Sequence, residues 1–534
     1  MTTPDKVFAS GDQSLIWQKY CGFLDLSLEQ FARLQSSLLL QQIDLVSGSP
    51  MAGKLMPHRP RTVQEFRRIV PLTTYADYAA VLNSRNEAML AVKPVNWVCT
   101  SGRGGSFKWI PWTETAIEMF AEGGIAAGIL ACANRKGEVR IQSGQRALAN
   151  LAPPPYGSGV LSQVMAETMG IILMPPISET ETLDFAARTQ LGFQMGLEHG
   201  VDLLSSLTSV LIKMGDSFTR SNGQMKLTRN LLQPRILGRL SAAWFRCKIQ
   251  RRKLLPKDLW PIKGLIAYGM DTDLYRKQLV HYWGREPLEI YSATESGTIA
   301  TQAWNKKGLT FLPYSGFYEF IPEGEWLKNR GDPSYQPSTV LLDQIEPGKR
   351  YELVITSFYG MPFLRYRIGD LIQITSLEDQ AAGIHLPQMV FASRADDIID
   401  LAGFTRLEEK TLWSAIMQTG FQIEDWTARK EVEKDRTWLK LYLEAKEDIK
   451  TVEDLENKLH QELCAVNRDY RDLSRMLDLR PLKVVVLPAG SFQRYYTERQ
   501  KAGADLSHLK PPHMNPSDLV IDQLLKIQPG QSQT

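Results

Sequence analysis

Apolar positions three and four residues apart run through residues 12–45 (DQSLIWQKYCGFLDLSLEQFARLQSSLLLQQIDL). That is the spacing of one helical face, and it predicts amphipathic helices packed on a larger body. From about Val95 the pattern turns to short β-rich runs broken by glycine: VNWVCT, the loop SGRGGS and then FKWIPWT predict strand, loop, strand. A long helix is predicted over 114–131, with further helices over 179–200 and 203–214. Between Leu265 and Ala293, the runs LIAYG, DLYRKQLVHYW and LEIYSA read as strand, helix, strand. A β-α-β unit in a parallel sheet is the economical expectation there.

Farther along, YELVITS (351–357) and FLRYRIGDLIQIT (363–375) alternate apolar and polar residues, as half-buried antiparallel strands do. After Ala395 the character changes again. TRLEEKTLWSAIMQ predicts a helix, DWTARKEV and TWLKLYLEA predict paired strands, residues 452–465 another helix, and LKVVVLP a strand. These elements form a compact α+β unit, so a domain boundary is expected near 395–397, dividing the chain into residues 1–395 and 396–534. The expected fold class is α/β: a large N-terminal α/β domain with a parallel sheet and a β-rich subdomain, followed by a small, mobile α+β domain.

Composition narrows this only slightly. Over 534 residues, 43% hydrophobic and 23% charged composition is ordinary for globular proteins and excludes wholesale disorder. Lys and Arg number 62 against 59 Asp and Glu, a balance too even for net charge to steer the molecule onto nucleic acid, so no nucleic-acid partner is expected. Five cysteines without CxxC spacing argue against a disulfide framework or a zinc site and favour a reducing, cytoplasmic setting. The N-terminus lacks a basic region followed by an apolar core, and the longest apolar candidate, 123–133, is too short to span a bilayer, so a soluble protein without a transmembrane segment is expected. One stretch is locally biased. Residues 225–257 hold ten basic side chains and no acidic one, which would suit a membrane surface or polyanion, but the interspersed Leu, Trp and Phe predict ordinary packing beneath a solvated basic face. No HxxxH, HExxH or GxSxG occurs, so zinc hydrolysis and the serine-hydrolase elbow lose support, and the lone histidines are expected to be structural.

Four motifs could carry chemistry. In TSGRGGSFK (100–108), amide groups freed by a glycine turn converge on an anion and Lys108 adds charge; alone, the same run also describes a surface hairpin. Neither the Walker spacing nor GxGxxG is present. YSATES (291–296) stands at the end of a predicted strand, where Tyr291 could stack on a base and Glu295 could offer an oxygen to Mg²⁺; a core tyrosine beside a satisfied glutamate is the plainer reading. YRIGD (366–370) ends in Asp370, whose carboxylate would accept from both hydroxyls of a ribose, or simply ends a strand. SRADDIIDLAGFTRLEE (393–409) falls at the composition change, where a hinge is plausible. Each is weak alone, and their order along the chain is what gives them weight.

TSGRGGSFK, YSATE, YRIGD and SRADDIIDLAG together resemble the ordered motifs of the adenylate-forming superfamily. YRIGD and the tail GSFQRYYTERQKAGADLSHLKPP (490–512) make the chain similar to its acyl-acid amido synthetases, the auxin-responsive Gretchen Hagen three family. The resemblance covers most of the chain from about Val95 to Pro512. It implies ATP- and Mg²⁺-dependent adenylation of a small carboxylic acid, then attack by an amine, an amino acid in that family. By resemblance, Thr100, Ser101, Gly102, Arg103, Gly104, Gly105 and Lys108 cradle phosphate. Tyr291 lines the adenine pocket, Thr294 lies near the α-phosphate, Glu295 binds the metal, and Asp370 and Arg394 hold the ribose. Asp396 matches the hinge position and Lys510 the catalytic lysine of the terminal motif. The chain departs from the pattern at Arg103 and Gly104, where relatives carry hydroxyl side chains, and Arg103 is expected to supply the missing phosphate contacts. The acyl-CoA ligase terminal pattern is absent, which favours amide over thioester formation. An acyl-CoA or acyl-protein ligase, and a nucleotide-binding protein without catalysis, are the alternatives.

Overall fold

Strand order separates three β-systems in the larger of two compact units, which comprises Met1–Ile368 and Ile372–Ala392. The second unit comprises Gly369–Leu371 and Ser393–Thr534. The computed structural model describes residues 5–101, 107–149, 151–183, 185–220, 234–268, 272–401, 405–433, 436–446, 449, 451–477, 480–501 and 513–526.

A hairpin pairs β1 (Asn96–Ser101) with β2 (Phe107–Trp112) antiparallel. A parallel sheet follows from β3 (Arg146–Ala149), β4 (Ile172–Met174), β5 (Leu203–Leu207) and β6 (Gly264–Tyr268), in the order β4-β3-β5-β6. The remaining strands are β7 (Ile290–Ala293), β8 (Gly297–Gln302), β9 (Leu309–Phe311), β10 (Phe317–Pro322), β11 (Arg350–Thr356), β12 (Tyr366–Ser376) and β13 (Gln388–Arg394). They form a seven-stranded sheet in the order β10-β11-β12-β13-β9-β8-β7. The fold is thus mixed α/β, with a parallel and an antiparallel sheet.

The helix Glu114–Cys132 joins these layers. Thr113 caps it, accepting from the Ala116 N–H while its own hydroxyl donates to the Tyr359 carbonyl at 2.7 Å. At the other end, where carbonyls lack helical partners, the Lys306 ammonium donates to the carbonyls of Leu130 and Ala133. Phe120, Ile125, Ile129 and Leu130 enter one core with Ile299, Leu309 and Phe311. This helix contains the apolar run 123–133 up to Cys132, and at 19 residues it is long and apolar enough to cross a bilayer, against the expectation from the run alone. Its surface is spent on the core instead: 72% of the apolar window is buried.

Buried charge locks the start of β12. Glu319 is 1% exposed in its side chain and receives the Arg365 guanidinium at 2.9 Å through both oxygens, Arg67 Nε at 3.0 Å and the Thr339 hydroxyl at 2.6 Å. Two residues on, Arg367 forks onto Glu352 at 2.9 and 2.6 Å. Bidentate geometry of this kind is what makes a buried ion pair tolerable.

The second unit contains the hairpin β14 (Ile399–Leu401) and β15 (Thr405–Leu407). Its main sheet joins β16 (Ile423–Glu433) antiparallel to β17 (Arg436–Ala445), and β17 parallel to β18 (Leu482–Val486). The helices Glu409–Gln418, Val452–Val466 and Arg468–Leu477 supply Leu412, Leu459, Leu463 and Leu473 to its core.

Three local expectations are corrected. Residues 203–214 are not one helix: Leu203–Leu207 form β5, inserted between β3 and β6, and the helix begins at Thr208. Two successive leucines serve a strand buried on both faces as well as a helix, so periodicity alone misassigns them. The β-α-β reading holds only for one bridge, Ile266 with Leu288, because β7 itself turns into the antiparallel sheet beside β8. The apolar residues of the basic stretch pack inward only in part: Leu240, Leu254 and Leu255 join a core as expected, whereas on the helix Pro234–Ile249 Trp244 is 56% and Phe245 61% exposed.

Candidate active site

The phosphate-loop motif is carried by the β1–β2 hairpin, in which Thr100 pairs with Lys108 and Ser101 with Phe107. Gly102, Arg103, Gly104 and Gly105 lie outside the described residues, as does the Ser101 side chain. At the base of the hairpin, the Tyr75 hydroxyl accepts the Trp109 N–H at 2.9 Å, and the Lys108 ammonium stands 5.0 Å from the centre of the Tyr75 ring. The Arg85 guanidinium covers the Trp109 ring at 4.0 Å.

The second motif reaches the same neighbourhood through a tight turn. β7 runs into Thr294, Glu295 and Ser296 before β8 leaves in the opposite direction, and Gly297 at φ +66° makes the reversal. A side chain there would meet the Phe120 ring at 2.5 Å. The turn is held from two sides: Trp112 Nε1–H donates to the Thr294 carbonyl at 2.8 Å, and the Ser357 hydroxyl to the Glu295 carbonyl at 2.6 Å. Both backbone oxygens are therefore occupied, and Glu295 as a whole is 8% exposed. Burial raises the Tyr75 phenol above its ordinary value, opposed by the Trp109 N–H, and the Glu295 charge pushes in the same direction as burial. The β1–β2 hairpin, which carries Lys108, and the turn that carries Glu295 are thus joined through Trp112, although they lie far apart in sequence.

Tyr291, also expected at the site, is buried on β7 opposite Ala300, with its ring 6.0 Å from Phe391. Among the described residues no three His, Cys, Asp or Glu side chains gather as a metal-binding group. A single carboxylate at Glu295 fits magnesium, which keeps waters and shares phosphate oxygens, and does not fit an all-protein cage.

In the second unit, Asp370 and Arg394 meet each other, carboxylate to guanidinium, at 3.3 Å. Asp396 lies in a single 3-10 turn, Ala395–Asp397, immediately after Arg394, and Lys510 falls outside the described residues.

Sequence reasoning missed three contributors. Tyr75 and Trp112 carry no motif; they act through contacts across the fold. The run PPPYGSG carried a weak signal in its paired glycines: at Gly157 a Cβ would stand 2.6 Å from the Trp112 ring, and at Gly159 2.5 Å from the Ala152 carbonyl oxygen. The same turn joins the hairpin through Cys99 N–H to the Pro155 carbonyl at 3.0 Å.

Three family models match in succession: the GH3 family N-terminal domain over residues 21–150, its central domain over 309–394 and its C-terminal domain over 409–518. The chain belongs to the GH3 family. Relatives of this GH3 chain include a jasmonoyl–L-amino acid synthetase, GH3.5, of Oryza sativa subsp. japonica, 27% identical over 50% of this chain and 48% of its own length. An indole-3-acetic acid-amido synthetase, GH3.3, of Arabidopsis thaliana is 27% identical over 38% of this chain and 34% of its own. The match therefore spans half or less of these relatives. Over 96% of both chains the fold follows a GH3.15 acyl acid amido synthetase solved with 2,4-DB, at a TM-score of 0.70 and 17% identity. A 2-hydroxyisobutyryl-CoA ligase shares the fold more distantly, at a TM-score of 0.54 and 13% identity over 94% of both chains.

Proposed function

We propose that this GH3 chain is an ATP-dependent ligase that adenylates a small carboxylic acid and transfers the acyl group to the amine of an amino acid. The observation that carries the reading is the hydrogen bond from Trp112 of the phosphate-loop hairpin to the Thr294 carbonyl, which sets the pinned Thr294–Glu295 turn against the hairpin that carries Lys108, in a chain of this family.

A carboxylate is a poor acylating agent. One of its oxygens attacks the α-phosphorus of ATP, the bridging α–β P–O bond breaks, and pyrophosphate leaves with that electron pair. The amine nitrogen then attacks the acyl carbon, the C–O bond to AMP breaks, and the amine proton is lost to solvent or base. In the first step negative charge moves across phosphate oxygens, and preorganised cations and N–H groups lower its cost. Lys108 supplies a cation beside the hairpin, with Arg103 reading the β- or γ-phosphate. Magnesium held at Glu295 would neutralise phosphate charge. Because its carbonyl is fixed by Ser357 and its neighbour's by Trp112, Glu295 has little freedom to leave this position. Asp370 would accept from the ribose hydroxyls, with Arg394 orienting it, and Tyr291 would line the adenine pocket. Lys510 joins the catalytic groups through its place in the terminal motif, and Asp396 would act as the hinge between the half-reactions.

The test is pyrophosphate release from ATP across a panel of aliphatic and aromatic carboxylic acids, with amino acids or coenzyme A as acceptors. Acid-dependent release and amide product support the reading. A thioester with coenzyme A and no amide, or release with no acid, would replace it.

A further inference from the structure

At about 100° per residue the helix Pro234–Ile249 presents three stripes. Ile236, Ala243 and Cys247 are buried against the body of the first unit. Leu237, Trp244, Phe245 and Ile249 form a second stripe, exposed at 44%, 56%, 61% and 68%. Arg235, Arg239 and Arg246 form the third and, with Arg146 and His199, line a cleft of about 660 Å³ in which Glu198 is the one acidic side chain among the described residues. Lys248 lies over the Trp244 ring at 4.7 Å.

Charge in this region is one-sided. Residues 234–257 carry eight basic side chains and no acidic one, in a chain whose overall balance is 62 to 59. Arg252 is satisfied by both oxygens of Asp258, and Arg246 donates to the Asp258 carbonyl at 2.9 Å. Arg239 is fixed by the Gly196 and Leu197 carbonyls at 2.8 and 3.1 Å, so it is positioned without being neutralised. Burial lowers its guanidinium from the ordinary value, and the Arg146 charge acts in the same direction. An anion in the cleft would relieve that repulsion.

We propose that this face docks on an anionic lipid bilayer, with Leu237, Trp244, Phe245 and Ile249 entering the boundary between headgroups and acyl chains and the arginine cleft taking a lipid phosphate. An exposed apolar arc that holds Trp and Phe, is flanked by arginines and carries one lysine over its Trp ring fits the pattern of helices that lie in a membrane interface. Charge complementarity selects this occupant over a second copy of the chain, because a two-fold contact uses the same patch on both copies and would set this one-sidedly basic surface against itself. Four large apolar side chains turned outward select it over a nucleic acid, whose backbone gives aliphatic groups nothing to enter. The proposal is independent of the ligase reading.

The test is co-sedimentation of the full chain with vesicles of phosphatidylcholine alone or mixed with phosphatidylserine. Binding is expected only to the mixed vesicles, and to fall steeply with salt. The double variant Trp244→Ser/Phe245→Ser should bind them about tenfold more weakly, as the loss of two interfacial anchors requires, with an unchanged melting temperature. Arg235→Gln/Arg246→Gln should lose binding by a similar factor. No binding to the mixed vesicles would overturn the proposal. So would undiminished binding by the Ser variant, which would mark a simple polyanion site such as one for RNA. A dimer in wild type that the Ser variant abolishes, or a lowered melting temperature in that variant, would assign the face to a second copy or to the chain's own packing and overturn it equally.

Discussion

Replacing His513 by glutamine removes a buried cation from between two carboxylates in the second unit. Its ring is held by Glu409 at 2.6 Å through Nδ1 and by Asp425 at 2.8 Å through Nε2, and it stacks on Trp426 at 4.5 Å with planes 4° apart. Burial alone would lower the imidazole's value, but Asp425 and Glu409 outweigh it and push it up to about 10. The residue is also an anchor: its carbonyl accepts the Ala428 N–H at 2.7 Å, and Met514 continues beside Ala428 on β16. His513→Gln leaves both carboxylates facing a neutral amide, and breaking a buried pair in this way costs about 3–5 kcal/mol. At roughly 2 kcal/mol per M of urea, the unfolding midpoint of this unit should fall by about 2 M. The pH dependence has a definite sign. The folded value lies above the ordinary 6.5, so the contribution is complete below pH 6.5, declines above it, and is gone once pH passes about 10. The other groups facing the ring do not mimic this trend: the Tyr496 hydroxyl, which donates to Asp425 at 2.8 Å, is itself raised by burial and by the Asp425 charge. Urea unfolding at pH 6 and pH 9, followed in the second unit, should therefore show wild type losing stability with rising pH and the variant losing much less. Equal pH slopes in the two proteins, or a variant as stable as wild type at pH 6, would refute the reasoning.

Three further outcomes are expected. Glu295→Gln should abolish magnesium-dependent pyrophosphate release while leaving the melting temperature unchanged, because it keeps the side chain's size and the two backbone hydrogen bonds that hold the turn. Gly157→Ala should force its methyl against the Trp112 ring, 2.6 Å away, and lower stability by about 1–3 kcal/mol in denaturant titrations, with turnover falling further as the Thr294 carbonyl loses its partner. Arg365→Met should destabilise the first unit by about 3–5 kcal/mol in thermal or chemical unfolding, since it leaves the buried Glu319 carboxylate with Arg67 and Thr339 alone, and the companion Arg365→Met/Glu319→Leu should recover part of that loss.

Local pattern carried much of the architecture. The β-rich runs VNWVCT and FKWIPWT became the β1–β2 hairpin, DWTARKEV and TWLKLYLEA became β16 and β17, and the residues between 114 and 131 became the central helix. Element type failed where tertiary context decides it, as at Leu203–Leu207, where parallel neighbours on both sides turn an apolar run into a strand. The candidate site was legible as ordered motifs, because glycine turns and isolated acids at strand ends leave a mark in sequence. Its supports were not. Trp112 reaches Thr294 across 182 residues, and His513 reaches Glu409 and Asp425 across 104 and 88, separations at which no spacing rule applies. The exposed Trp244 and Phe245 were hidden for the opposite reason: hydrophobic residues in a helical pattern read as core whether or not anything covers them.

The central claim, an acyl-adenylate formed by attack of the substrate carboxylate on the α-phosphorus, is tested most directly by oxygen-isotope transfer. An accepted acid labelled with ¹⁸O in its carboxylate is turned over with ATP, magnesium and an amino acid, and the released AMP is weighed by mass spectrometry. Adenylation requires one carboxylate oxygen to leave with the phosphorus when the amide forms, so AMP should carry a single ¹⁸O and pyrophosphate none. Label in inorganic phosphate with ADP as the nucleotide product would place the attack at the γ-phosphorus, and unlabelled AMP would remove the adenylate altogether; either result contradicts the account.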